Sequence, residues 1–142
     1  MTIAKITPKY TTTATVTGGR EGHGKTDDGL LDVDLQAPKE LGGPGGATNP
    51  EQLFAVGYGA CYQGALGLAG KEKGIDTSDS VVTCTVGIGP EGESFGLNAA
   101  LTVQIPGQDL DTVQQLADRA HELCPYSKAT RGNIEVTVKA VQ

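Results

Sequence analysis

The chain has no Trp, and only two His and three Cys among its 142 residues. No Cys-x-x-Cys or His-x-x-x-His spacing occurs, so these ligands are too few and too scattered for a zinc site. No stretch approaches the roughly 20 apolar residues that a membrane span needs. The opening Met1-Thr2-Ile3-Ala4-Lys5-Ile6-Thr7-Pro8 holds no apolar run long enough for a signal peptide. Basic residues are outnumbered, 11 against 17 acidic ones, for a net charge of −6. That balance argues against nucleic acid or an anionic membrane surface, both of which need a basic face. The expectation is a cytoplasmic protein without membrane or nucleic-acid partners and with no bound metal or cofactor.

What the chain has is glycine, 21 of them, and a length suited to a single domain over 1–142. Tyr10, Thr12, Ala14 and Val16 alternate with Thr11, Thr13, Thr15 and Thr17, the period of a strand. A glycine-rich loop is expected from Gly18 to Gly29, then a strand in which Leu31, Val33 and Leu35 alternate with Asp32 and Asp34. Gly42-Gly43-Pro44-Gly45-Gly46 cannot hold regular structure. Asn49, Pro50 and Gln52 then form a helix start with capping-box spacing, and the helix is expected to reach about Gly70. Apolar or small residues cover all its faces, which predicts burial all round. Its glycines 57, 59, 64 and 67 imply that other backbone or a ligand packs close.

Val82, Cys84, Val86 and Ile88 line one face of a further strand, and Leu97, Ala99, Leu101, Val103 and Ile105 a face of the next, with Gly89-Pro90-Glu91-Gly92 turning between them. Asp109 or Asp111 caps a second helix carrying Val113, Leu116, Ala117, Ala120 and Leu123. Pro125 either stops it or starts a new turn with Cys124 as its cap. Ile134, Val136 and Val138 form a last strand. The order predicts an α+β fold, mainly antiparallel sheet around a buried central helix.

Two motifs match in letters only. Gly19-Arg20-Glu21-Gly22-His23-Gly24-Lys25-Thr26 fits the phosphate-loop pattern, but no helix follows it and Asp27-Asp28 would repel phosphate. Gly87-Ile88-Gly89-Pro90-Glu91-Gly92 fits a dinucleotide fingerprint, but it leads into a strand and reads as a hairpin turn.

The cysteines carry the chemistry. In a reducing compartment a structural disulfide is not expected, so a well-framed thiol reads as reactive. Cys84 is in phase with Val82 and Val86 and reads as inert filling. Cys61 lies among helix glycines, and Cys124 at a helix junction, where it is expected to be accessible. Lowering a thiol pKa from about 8.5 to about 6 takes roughly 3–4 kcal/mol of preferential stabilisation. Cys61 lies beyond reach of the helix dipole, so a cation must be supplied, with Arg20 the first candidate and Arg119 and Arg131 the others.

These segments resemble the organic hydroperoxide resistance proteins of the Ohr/OsmC superfamily. The likeness rests on Leu41-Gly42-Gly43 with Asn49-Pro50-Glu51-Gln52-Leu53-Phe54-Ala55, Gly57-Tyr58 and Ala60-Cys61. It extends through Cys124-Pro125-Tyr126-Ser127, Ala129-Thr130-Arg131-Gly132-Asn133-Ile134, and Gly18-Gly19-Arg20 followed by Asp28-Gly29 and Leu31-Asp32. Lys128 and Gly59 depart from the pattern, outside the chemistry. The resemblance implies an intertwined homodimer and a thiol peroxidase acting on organic hydroperoxides. By it Cys61 is the peroxidatic and Cys124 the resolving cysteine, Arg20 and Glu51 hold the thiolate, and a lipoyl group on a partner protein is the external dithiol reductant. Glu51 and Cys61 would stand about 15 Å apart along one helix, so the implied constellation points to a site shared across the dimer, with Arg20 or Glu51 supplied in trans. The alternative is a redox-sensing or ligand-binding module whose cysteines oxidise without turnover.

Overall fold

The computed structural model describes residues 2–142. They gather into two compact units, one ending at Pro50 and the other running Glu51–Gln142, where the sequence reading takes one domain.

The first unit is a three-stranded antiparallel sheet of β1 (Ala14–Thr17), β2 (His23–Thr26) and β3 (Asp32–Asp34), with β2 in the centre. The expected first strand is shorter than its threonine alternation, because β2 pairs only with residues 14–17. The central strand is the one the glycines concealed. Gly24 sits opposite Val16 and Val33, and a side chain there would meet the methyls of Val16 and Leu35 at ordinary contact distance. Between β2 and β3 the Asp28 carboxylate accepts from the Leu30 amide (3.0 Å) and the Thr26 hydroxyl (2.8 Å), while Gly29 takes the positive φ of 74° that the turn requires. Lys25 and Thr26 lie on a strand that leads to another strand, so the phosphate-loop pattern lacks its helix.

The second unit packs α1 (Pro50–Lys73), α2 (Leu110–Leu123) and α3 (Pro125–Thr130) with a sheet of β4 (Val81–Glu91), β5 (Ser94–Gln104) and β6 (Glu135–Ala140). β4 and β5 form a long hairpin whose turn is Gly92-Glu93, two residues later than expected; Gly92 has φ 56° and starts the turn as the left-handed residue. β6 runs parallel to β5, which demands a crossover, and α2 with α3 is that crossover. The sheet is therefore mainly antiparallel with one parallel pair. Asp109 is the cap of α2, accepting from the Thr112 amide at 2.8 Å, and Asp111 lies in the first turn. The side-chain amide of Gln114 on α2 reaches β6, donating to the Val138 carbonyl (3.2 Å) and accepting from the Ala140 amide (2.8 Å).

The core joins Tyr58, Tyr62 and Leu66 of α1 to Leu101 and Val103 of β5 and to Val113, Leu116, Ala117 and Ala120 of α2. At roughly 25 cal/mol per Å², burial of each Leu contributes on the order of 2 kcal/mol. Two expectations about α1 need correction. It is not buried all round: Val56 (73% exposed), Ala60, Gly64 and Leu68 (56% exposed) form a stripe at four-residue spacing that the chain itself leaves open. Nor does each glycine mark a close approach. A Cβ on Gly64 would meet nothing, whereas one on Gly70 would lie 2.7 Å from the Ile75 carbonyl.

His23 on β2 holds carboxylates on both ring nitrogens, Asp34 at Nδ1 (2.7 Å) and Asp32 at Nε2 (2.5 Å). Only the protonated ring can donate to both, and the hydrogen bond to Asp34 raises its pKa above the ordinary value of 6.5. The folded state thus binds this proton more tightly than the unfolded chain does. The stabilisation is complete below pH 6.5 and is lost as pH rises through the higher folded value. The ring proton signals of His23 are expected to titrate above those of a model peptide, and His23→Gln should flatten this part of the pH–stability curve. Titration at or below the peptide value would remove the assignment.

Candidate active site

Cys61 stands in the middle of α1, half-buried, and Cys124 is fully buried at the α2–α3 junction, not accessible as expected. Their sulfurs are 3.6 Å apart, and both are free thiols. Of the two readings of Pro125, the second holds. It is the first residue of α3, and Cys124 is the cap, its sulfur accepting from the Ser127 amide at 3.5 Å. A cysteine takes the capping position that Ser or Asp usually fills, so local helix chemistry aims a donor at this sulfur.

Burial is the largest influence on Cys61 and raises its pKa; the backbone amide of Tyr126 opposes this, and the nearby Cys124 adds to the rise. Within this unit nothing reverses the balance. The thiolate therefore needs a cation, as the sequence reading requires. Arg20 lies in the first unit, on the exposed 3-10 turn Gly19–Glu21. Glu51 is in the first turn of α1, and the helix is unbroken from there to Cys61, which preserves their separation of about 15 Å. Of the four expected site residues the structure thus brings Cys61 and Cys124 together and holds Glu51 apart from Cys61. Arg119, one of the other cations considered, is committed to Glu72 (2.9 Å), and Arg131 donates to the His121 carbonyl (2.9 Å). Cys84 is half-buried on β4 against Gly59 of α1, and burial alone raises its pKa, consistent with an inert thiol.

Five polar side chains around the sulfurs were not singled out for any role by the sequence reading. Tyr58 and Tyr62 flank Cys61 and are fully buried. The Tyr62 hydroxyl donates to the Ala117 carbonyl at 2.6 Å, and burial drives its pKa far upward. The Tyr58 hydroxyl meets Ser127 (2.8 Å) and Thr130 (3.1 Å), both buried, and Ser127 meets Nδ1 of His121 at 2.7 Å. Burial, assisted by Arg131, lowers the His121 pKa. The available signal was two tyrosines four residues apart on an apolar helix, whose buried hydroxyls must find partners.

An apolar cleft of about 470 Å³ opens at Pro125, the residue after Cys124, and is lined by Phe54, Leu97, Pro125, Tyr126, Ala129, Thr130, Asn133 and Ile134. Phe54, Tyr58 and Tyr126 meet there edge-on or tilted, with ring centroids 5.8–6.2 Å apart. Leu66, one turn beyond Cys61 on α1, is wholly in the core. Among the described residues no group of three or more His, Cys, Asp or Glu side chains is placed to hold a metal, and no helix is long and apolar enough to cross a membrane.

Comparison with known proteins identifies the family. The family model described as OsmC-like protein matches residues 43–139. An organic hydroperoxide resistance protein of Xanthomonas axonopodis pv. citri is 49% identical over 131 residues, covering 91% of this chain and 92% of that one. The organic hydroperoxide resistance protein OhrB of Bacillus subtilis is 44% identical over 134 residues, covering 92% and 96%. A crystal structure of an organic hydroperoxide resistance protein from Legionella pneumophila superposes with a TM-score of 0.90 at 44% identity, over 96% of this chain and 100% of that one. Sequence and fold together place the chain in the OsmC-like family, among the organic hydroperoxide resistance proteins.

Proposed function

We propose that the protein is a two-cysteine peroxidase that reduces organic hydroperoxides to alcohols. The observation that carries this reading is the 3.6 Å approach of Cys61 to Cys124, two free thiols, with an apolar cleft opening at Pro125, next to Cys124 in the chain. The Cys61 thiolate attacks the outer peroxide oxygen, the O–O bond breaks, and the alkoxide leaves and takes up a proton as the alcohol. Cys61 is left as a sulfenic acid. Cys124 then attacks that sulfur and expels the hydroxyl as water, forming a disulfide. An external dithiol, by family resemblance a lipoyl group on a partner protein, restores both thiols. The cleft supports a preference for apolar substrates, each buried methylene contributing up to about 0.8 kcal/mol.

Cys61→Ser is expected to abolish consumption of cumene hydroperoxide with dihydrolipoamide, and Cys84→Ser to leave it nearly intact. Cys124→Ser should react once, leave a dimedone-reactive sulfenic acid at Cys61, and lose turnover. One round of oxidation without dithiol-driven turnover in the unmodified protein would favour a sensor instead.

Arg20 is the proposed cation and Glu51 the carboxylate that orients it. A fall in thiol pKa from about 8.5 to about 6 raises the thiolate fraction at pH 7 roughly 30-fold. Arg20→Ala should therefore lose at least about 30-fold in rate at pH 7 and regain much of it towards pH 9, as the thiol ionises unaided. A pH-independent loss would deny Arg20 this role.

The open stripe of Val56, Ala60, Gly64 and Leu68 supports a homodimer, since small residues let a second chain approach. In it Arg20 or Glu51 reaches Cys61 of the other chain. Mixing Cys61→Ser chains with inactive Arg20→Ala or Glu51→Ala chains is then expected to recover part of the activity in one pairing. Recovery in neither pairing would remove the shared site.

A further inference from the structure

Four side chains on three helices form a continuous hydrogen-bonded chain behind the two sulfurs. His121 Nδ1 meets Ser127 Oγ at 2.7 Å, Ser127 Oγ meets the Tyr58 hydroxyl at 2.8 Å, and Tyr58 meets Thr130 Oγ1 at 3.1 Å. Thr130 donates in turn to the Ser127 carbonyl at 3.2 Å. Each hydroxyl owns a single proton, and with all four contacts made this fixes the direction. Thr130 has spent its proton on the carbonyl, so Tyr58 donates to Thr130. Ser127 must then donate to Tyr58, and only the N–H of His121 Nδ1 is left to donate to Ser127. Nδ1 carries hydrogen in either charge state of the ring, and Nε2 is the nitrogen that titrates.

This chain is fastened to both cysteines. Tyr58 precedes Cys61 by three residues on α1, and Ser127 follows Cys124 by three, its amide aimed at the Cys124 sulfur. The Tyr126 amide acts on Cys61 from the same turn. A disulfide is about 2.05 Å long, so sulfurs 3.6 Å apart must close by roughly 1.5 Å while their directions hold.

Resting on the peroxidase reading, we propose that His121 is a positioning residue for the disulfide-forming step. Its Nδ1–H orients the Ser127 hydroxyl, which locks α3 to Tyr58 and keeps the Ser127 amide on the Cys124 sulfur. In that step Cys124 loses its proton and its sulfur bonds to the Cys61 sulfur. The S–O bond of the sulfenic acid breaks, and the hydroxyl leaves with the proton as water. The first step, attack on the peroxide, meets this chain only through the Tyr126 amide on Cys61 and is expected to change less than disulfide closure.

Single-turnover oxidation of the full chain by one equivalent of cumene hydroperoxide, quenched with dimedone or acid and read by mass spectrometry, separates the steps. His121→Ala is expected to form the Cys61 sulfenic acid within about threefold of the unmodified rate but to close the disulfide about tenfold more slowly, the scale of one lost hydrogen bond. More Cys61 should then pass to sulfinic acid under excess peroxide. His121→Asn, which returns an N–H at the δ position, should restore closure to within about threefold. Should His121→Ala not fold, His121→Asn is compared with His121→Gln, whose N–H lies one bond further out and should close slowly. Disulfide closure at the unmodified rate in His121→Ala, or equal rates in the compared variants, would overturn the proposal. A protein whose unmodified chain forms neither sulfenic acid nor disulfide would instead overturn the peroxidase reading beneath it.

Discussion

The burial of one phenol hydroxyl organises the candidate site. Tyr58 is fully enclosed, and an unpaired hydroxyl there would cost about 1–3 kcal/mol. Helix α1 can therefore dock only where Ser127 and Thr130 are presented to it, which fixes α3 against α1 in both position and rotation. Since α3 begins at Cys124 and Tyr58 lies one turn before Cys61, satisfying the phenol also sets the distance between the sulfurs. Packing alone would tolerate small slides of apolar surfaces; hydrogen-bond geometry does not.

The same proximity imposes an order on the chemistry. Two thiolates 3.6 Å apart repel strongly in a half-buried site, so the pair does not ionise together. Cys124 contributes to the rise in the Cys61 pKa, and it carries the amide of Ser127 as its own donor. In the proposed cycle the repulsion vanishes once Cys61 bears a neutral sulfenic acid.

Much of this fold was legible in the residues. Strict alternation fixed β4 and β5, and a 3.6-residue period with a capping Asp fixed α2, because both signals are local. The family motifs marked both cysteines of the close pair. The strand β2 was hidden because Gly24 reads as a breaker, although it is paired on both sides, with Val16 and with Val33. The open stripe on α1 was hidden for the opposite reason: an apolar face looks the same in sequence whether this chain or another covers it. His121 gave no signal and Ser127 entered only within a family motif, since their contacts join three helices in a way that no spacing encodes.

Gln114 has an effect beyond holding α2 to the sheet. β6 is an edge strand, and Val138 and Ala140 turn a carbonyl and an amide outward from it. A primary amide is a peptide group in miniature, with one acceptor and donors beside it, and Gln114 meets both outward groups as the next strand would. The end of the sheet nearest α2 is thereby closed to strand addition by a side chain. A chain that leaves apolar surface open on one helix can do so safely when its sheet offers no template there for indiscriminate pairing.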